Sequence, residues 1–256
     1  MKSPIIIIGV GEMGGVFARG FLKAGYSVIP VRRDDDIAAI ATANPDPELV
    51  LLAVAEKDLH PSLDTVPDSW RPKLALLQNE LLPRDWQQHD LNDPTVISVW
   101  FEKKTGREFK VLIPSPTYGP GAGCLVASLG AVGIAARELS SPEQLLDELM
   151  LKNIFIVTTN VAGLSVGGNV GQLWRQHRQL ATAIANDVMD LQAVLTGVDP
   201  DRDKLLEGMV DAFEGDWEHG CMGRSAPVRL ARAIEQADAA DLSVPALRQI
   251  QDTHNA

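Results

Sequence analysis

The stretch "IIIIGVGEMGG", Ile5 to Gly15, decides how the rest of the chain is read. Four β-branched residues in a row, with no polar alternation, predict a strand buried on both faces. The run enters Gly9-x-Gly11-x-x-Gly14, after which Met13, Val16, Phe17, Gly20, Phe21 and Ala24 keep helical spacing up to a stop at Gly25. "YSVIPV", 26–31, predicts a second strand, with Pro30 near its end because proline donates nothing to a ladder. Glycine at a strand-to-helix turn can serve the backbone alone. Inside a βαβ unit, however, this spacing points to a dinucleotide site. Gly9 would allow the turn, Gly11 would let the backbone approach a pyrophosphate, and Gly14 would let the helix pack closely. The helix N-terminus itself favours an anion. The expected cofactor-binding residues of the loop are Gly9, Val10, Gly11, Glu12, Met13 and Gly14.

The end of the second strand chooses between cofactors. An acid there accepts from ribose hydroxyls of NAD, whereas arginine suits the 2′-phosphate of NADP. The chain reads Val31-Arg32-Arg33, and two guanidiniums can clamp a phosphate, so NADP (NADPH) is expected at Arg32 and Arg33. The plainer alternative is that both arginines pair with Asp34, Asp35 and Asp36 on a solvated face.

Bulk properties narrow the partners. With 45% apolar and 22% charged residues the chain has the profile of a folded globular protein, and 256 residues suffice for one large domain or two modest ones. A net charge of −11 argues against nucleic acid or an anionic membrane surface as the main partner. Cys124 and Cys221 form no C-x-x-C pair, so neither a disulfide framework nor a zinc site is expected, and a reducing cytoplasm fits. The apolar start ends at glycines and Glu12, unlike a signal peptide, and no segment reads as a membrane span.

Further along, "ELVLLAVA" (48–55), "LALLQN" (74–79), "AVGIAA" (131–136) and "IFIVTT" (154–159) read as strands, and "EKDLHPSLDTV" as a short helix or turn. "TVISVWFEKK" (95–104) and "FKVLI" (109–113) flank "TGRE" like a hairpin, and "PSPTYGPGAG" (114–123) reads as a loop. "SPEQLLDELM" opens with Ser141 as N-cap and Pro142 at the first helical position. "LWRQHRQLATAIANDVMDLQAVLTG" (173–197) reads as one long helix, with further helices after it. The expected architecture is α/β: a Rossmann-type, mostly parallel sheet over 1–165, followed by a smaller all-helical domain over 166–256. The boundary is placed in the glycine-rich 160–171 stretch.

"IIIIGVGEMGGVFARGFLKAGYSVIPVRR" resembles the opening of the ketopantoate reductase and 6-phosphogluconate dehydrogenase-like superfamily. "LVLLAVAEKDL" is similar to the strand supplying its cofactor-facing loop, which implies contacts from Val54 and Ala55. "LALLQNELL" is similar to the strand that ends in Gln-Asn-Gly in ketopantoate reductases, so Asn79 is implied beside the nicotinamide and substrate as a cofactor-binding and catalytic residue. The family's glycine is Glu80 here, and Ala55 stands where ketopantoate reductases carry a lysine.

The resemblance also implies a lysine general acid on the first long helix of the second domain, in a Lys-x-x-x-Asn arrangement. One register sets Lys152 at that lysine and Asn160 at a later helical asparagine. The other aligns "LWRQ", which puts Gln176 at the lysine and Leu180 at the asparagine. The second is preferred because "IFIVTT" reads as a strand. It leaves Arg175, His177 and Arg178 near a helix start, with His177 as a candidate proton donor. Gly223-Arg224-Ser225-Ala226-Pro227 lacks the glutamate that binds substrate in the family. The expectation is an NADP-dependent oxidoreductase acting on a small carbonyl or imine compound, with a homodimer as the assembly the resemblance implies. A non-catalytic NADP-binding sensor or interaction protein is the alternative.

Two other constellations compete. "GLSVG" (163–167) matches the G-x-S-x-G nucleophile elbow, with Ser165 as nucleophile, His219 as base and Asp211 or Asp216 as the acid. "DWEHGC" gathers Asp216, Glu218, His219 and Cys221, which reads as a surface loop since no partner cluster accompanies it, and no metal site is expected.

Overall fold

The computed structural model describes residues 2–103, 105, 106 and 108–255. Among them, the elements expected from the opening stretch form where the sequence puts them. Strand β1 (Ile5–Ile8) is followed by helix α1 (Glu12–Lys23) and strand β2 (Val28–Val31). All four isoleucines of β1 are buried, because β1 is flanked on both edges: it pairs in parallel with β2 and with β3 (Leu49–Leu52). A seven-stranded sheet of order β2-β1-β3-β4-β5-β8-β9 results, adding β4 (Leu74–Leu76), β5 (Thr95–Ile97), β8 (Ser115–Tyr118) and β9 (Ala136–Glu138). Every pairing in it is parallel except β5 with β8. Chain order reverses at β1, with β2 on one side and β3 on the other, and such a switch point opens a crevice at the carboxyl ends of the strands. Helix α1 packs with α5 (Ala122–Ala131) around a core that includes Ile5, Ile7, Phe17, Phe21, Leu49, Leu51, Leu125 and Leu129.

Short helices α2 (Ile37–Ala43), α3 (Leu59–Thr65) and α4 (Pro83–Gln87) complete the connections. A separate two-stranded ribbon, β6 (Phe101–Glu102) with β7 (Lys110–Val111), realises the expected hairpin, although β5 at its start belongs to the main sheet. Lys104 and Arg107 of that hairpin lie outside the described residues. The stretch 114–123, expected as a loop, contains β8. Pro116 offers the sheet no donor, but its carbonyl still accepts, at 2.9 Å, from the Ser98 N–H. The strand expected at 131–136 starts only at Ala136, after a turn through Gly133.

The main correction concerns "IFIVTT". It lies inside helix α6 (Pro142–Val166), not in a strand. Its β-branched run misled because the helix is apolar nearly all round: Ile154, Phe155, Val157, Val161 and Ala162 are all buried, so no one-sided 3.6-residue stripe is visible. That helix is also long and apolar enough to cross a membrane, contrary to the reading that no segment is, but 72% of its apolar window is buried inside the protein, as befits a core helix. The chain divides into two compact units, Met1–Leu146 and Asp147–Ala256, so the division falls within α6 and not in the glycine-rich 160–171 stretch. The second unit continues with α7 (Val170–Gln176), α8 (Arg178–Thr196), α9 (Arg202–Gly215), α10 (Ala226–Ala239) and α11 (Pro245–Asn255). The long helix expected over 173–197 is thus two helices, broken where His177 adopts φ −130°, ψ 32°.

Candidate dinucleotide site

Three glycines of the loop do three different jobs. Gly9 has φ +91°, and a Cβ there would stand 2.7 Å from the Ala53 carbonyl oxygen, so both conformation and space demand glycine. At Gly14 a Cβ would lie 2.2 Å from the Gly9 carbonyl oxygen, which lets α1 start tight against the loop. Gly11 is different: nothing lies within 4 Å of its added Cβ, and its φ of −73° suits any residue. The fold does not need glycine at position 11. The open space beside its backbone adjoins the first turn of α1, whose amide N–H groups have no intrahelical acceptor.

Strand ends carry Arg32, Val54, Ala55 and Asn79. Gly9 N–H donates to the Val31 carbonyl at 3.1 Å, which sets Arg32 one residue beyond the loop's anchor on β2. Arg32 and Arg33 are 73% and 89% exposed, paired only loosely with Asp35 at 3.8 Å and Asp58 at 4.0 Å. Of the three aspartates, Asp36 caps α2 by accepting from the Ala38 and Ala39 N–H groups, and Asp35 accepts from the Arg32 N–H at 2.7 Å. Two of the three acids are therefore committed to backbone, and the guanidiniums remain open to solvent.

Val54 and Ala55 follow β3, and Asn79 follows β4, so these residues also stand at carboxyl ends of parallel strands. A residue the sequence reading passed over secures them. Buried Gln78 donates its side-chain amide to the Leu52 carbonyl at 2.7 Å and the Val54 carbonyl at 3.3 Å, tying the two strand ends together. The signal was the polar residue closing an otherwise apolar run. Glu80, where ketopantoate reductases have glycine, keeps a left-handed backbone with φ +59°. A cleft of about 470 Å³ runs along α1, lined by Val10, Gly11, Gly15, Val16 and Phe109 among others.

In the second unit, Lys152 and Asn160 lie on α6 and are 9% and 7% exposed. The Arg229 guanidinium on α10 donates to Asn160 Oδ1 at 3.2 Å, and Lys152 Nζ stands 5.6 Å from the centre of the Phe155 ring. Asn153 donates to Gln192 Oε1 on α8 at 3.1 Å. His177 is exposed at the α7–α8 break, between Arg175 over the Trp217 ring and Arg178 over the Trp174 ring. Because α6 is helical through 154–159, the reason for preferring the Gln176 register over the Lys152 register disappears.

The competing constellations resolve into structure. Ser165 sits in the last turn of α6 and not on a strand-to-helix elbow, and Gly163 in the same motif packs against the Cys221–Met222 backbone, which corrects the hydrolase reading. In "DWEHGC", Asp216 accepts from the Glu218 N–H and Glu218 accepts from the Asn169 amide, and no metal-holding group of three His, Cys, Asp or Glu side chains occurs among the described residues. Burial pushes the Cys221 thiol up to about 11, away from the range of a reactive nucleophile.

No family model matches the chain, and no curated protein matches its sequence. Solved structures match it along nearly its whole length. A 2-dehydropantoate 2-reductase from Methylococcus capsulatus superposes with a TM-score of 0.69 at 13% identity, covering 98% of this chain and 96% of that one. D-mandelate dehydrogenase in complex with NADH gives 0.69 at 14%, covering 98% and 97%. A dimeric ketopantoate reductase from Staphylococcus aureus gives 0.63 at 14%, again covering 98% and 97%. The chain therefore has the fold of the ketopantoate reductases, a Rossmann-type α/β unit followed by a helical one, carried by a widely divergent sequence.

Proposed function

We propose that the protein is an NADP-dependent oxidoreductase acting on a small carbonyl or imine compound. The observation that carries this is Gly11. Its neighbours Gly9 and Gly14 are explained by backbone conformation and packing, whereas Gly11 leaves a cradle that the protein's own atoms do not claim. A side chain there would enter the space a pyrophosphate needs, and the α1 N-terminus favours an anion in that space. Arg32 and Arg33 then favour the 2′-phosphate of NADP over the free hydroxyl of NAD. The fold alone does not choose, since D-mandelate dehydrogenase carries it with NADH.

When bound, NADPH supplies a hydride from C4 of its nicotinamide. The residues we assign around it are Val54, Ala55 and Asn79 at the strand ends, with Asn79 orienting the substrate. For the proton that a reduced carbonyl oxygen takes up, the candidates are Lys152, on helix α6, which one register of the family resemblance sets at the general-acid lysine, and His177, exposed at a helix break. The free thiols of Cys124 and Cys221 suit a reducing compartment such as the cytoplasm, and by analogy with the dimeric reductase a homodimer is the expected assembly.

Fluorescence titration tests the assignment. NADPH should bind more tightly than NADH, and Gly11→Ala should weaken both while leaving the melting temperature unchanged. If Gly11→Ala bound NADPH as the parent does, the cradle argument would fail. A screen of 2-keto acids, aldehydes and imines with NADPH then separates catalysis from a sensor role, because binding without turnover of any of them would favour the sensor.

A further inference from the structure

The residue that follows Gly11 is an acid. Glu12 opens α1, and its carboxylate accepts a hydrogen bond from Thr105 Oγ1 at 2.8 Å and lies 3.8 Å from Lys103 Nζ. Both partners come from the β6–β7 hairpin, far along the chain, and Lys103 is the more enclosed of the ion pair, 23% exposed against 47% for Glu12. A carboxylate in the first turn of a helix is favourable by itself, since the free N–H groups point towards it. A pyrophosphate seeks the same field, so an uncompensated Glu12 would compete with the ligand for the helix end and repel it. The cleft along α1 repeats this balance, with Glu12 and Glu108 set against Arg19 and Lys103.

We propose that Lys103 and Thr105 set nucleotide affinity as positioning residues: Thr105 turns the Glu12 carboxylate towards the hairpin and Lys103 offsets its charge, so that the glycine loop can take a diphosphate. The inference rests on the dinucleotide reading of that loop. Removing the ammonium leaves the acid acting on the ligand, while removing both charges restores the balance.

The test is NADPH titration of the full-length chain as Lys103→Met, as Glu12→Gln and as the double variant. Lys103→Met should weaken binding about twofold to fivefold, the worth of a partly exposed charge pair. The double variant should return to within about twofold of the parent, and the Lys103→Met deficit should shrink in about 0.5 M salt, where exposed charges are screened. Glu12→Gln alone should bind NADPH at least as tightly as the parent, which keeps the test open if Lys103→Met folds poorly. A hairpin contact of merely structural value would move the melting temperature and give no rescue, and a double variant as weak as Lys103→Met would overturn the proposal. Weaker binding by Glu12→Gln, or unchanged binding by Lys103→Met, would also overturn it and leave the reading of the loop standing. A parent chain that binds neither NADPH nor NADH would remove both.

Discussion

The glycine loop of the first compact unit and the helix interfaces of the second use polar groups in different ways. In Met1–Leu146 the candidate site presents backbone and exposed side chains, held by buried Gln78: an open space at Gly11, strand ends at Val54 and Asn79, and two guanidiniums in solvent. In Asp147–Ala256 polar side chains are sunk into helix interfaces, as with Lys152, Asn153, Asn160, Asp187, Gln192 and Arg229, all 9% exposed or less. A loop that binds through backbone imposes glycine at fixed spacing and almost nothing else. Buried polar side chains call for partners, because each group left unbonded away from water costs roughly 1–3 kcal/mol. The candidate loop therefore depends on what its positions leave empty, and the helix interfaces on what they supply.

Substitutions can break this contrast or sharpen it. Gly14→Ala should have the largest effect, because a Cβ placed 2.2 Å from the Gly9 carbonyl oxygen forces the loop and α1 apart. A loss of about 3 kcal/mol in thermal or denaturant unfolding is expected, and a parent-like melting curve would show that the loop has slack. Replacing Arg32 and Arg33 together by alanine comes next. NADPH affinity should fall by about 2 kcal/mol, as for charge-assisted bonds to a phosphate, with NADH affinity nearly unmoved. Equal losses for both nucleotides would return the arginines to the solvated-face reading.

In the second unit, Asp187→Ala should cost about 1–2 kcal/mol of stability, the worth of a helix cap, without changing the NADPH dissociation constant. A shift in that constant would mean that the units do not divide their work as described. The smallest effect concerns Cys221. Its thiol is fully buried and raised from 9.0 to about 11, so at pH 8 a thiol reagent should label it very slowly in the folded chain. The sign of the linkage follows. The folded state holds this proton more tightly than the unfolded one, so its contribution to stability is intact below pH 9.0 and is lost as pH rises towards 11.

The first unit was far more legible than the second. Gly9, Gly11 and Gly14 stood out because glycine spacing is a sequence property, and the two candidate arginines needed only the end of a strand to be located. What stayed hidden there depends on contacts distant in sequence: Gln78 bonding to β3, and Thr105 and Lys103 reaching back to Glu12. β8 was missed because proline and glycine at 114–123 signal a turn, while its pairing is decided by β5 and β9. In the second unit the error at 154–159 had a single physical origin. Ile154, Ile156 and Val157 favour extended backbone locally, but burial on all sides of α6 overrides that preference. Once that segment is helical, Lys152 and Asn160 lie on one helix, which spacing alone could not establish.

One bond in the second unit links distant parts of the chain in time as well as in space. Asp187 Oδ2, on α8, accepts the backbone N–H groups of Ala246 at 2.7 Å and Leu247 at 3.0 Å, so the first turn of α11 is capped from another helix. Those two amide protons cannot meet solvent deuterium until the carboxylate withdraws. Their exchange should therefore keep the clock of α8, while the exposed later residues of α11 fray on their own schedule.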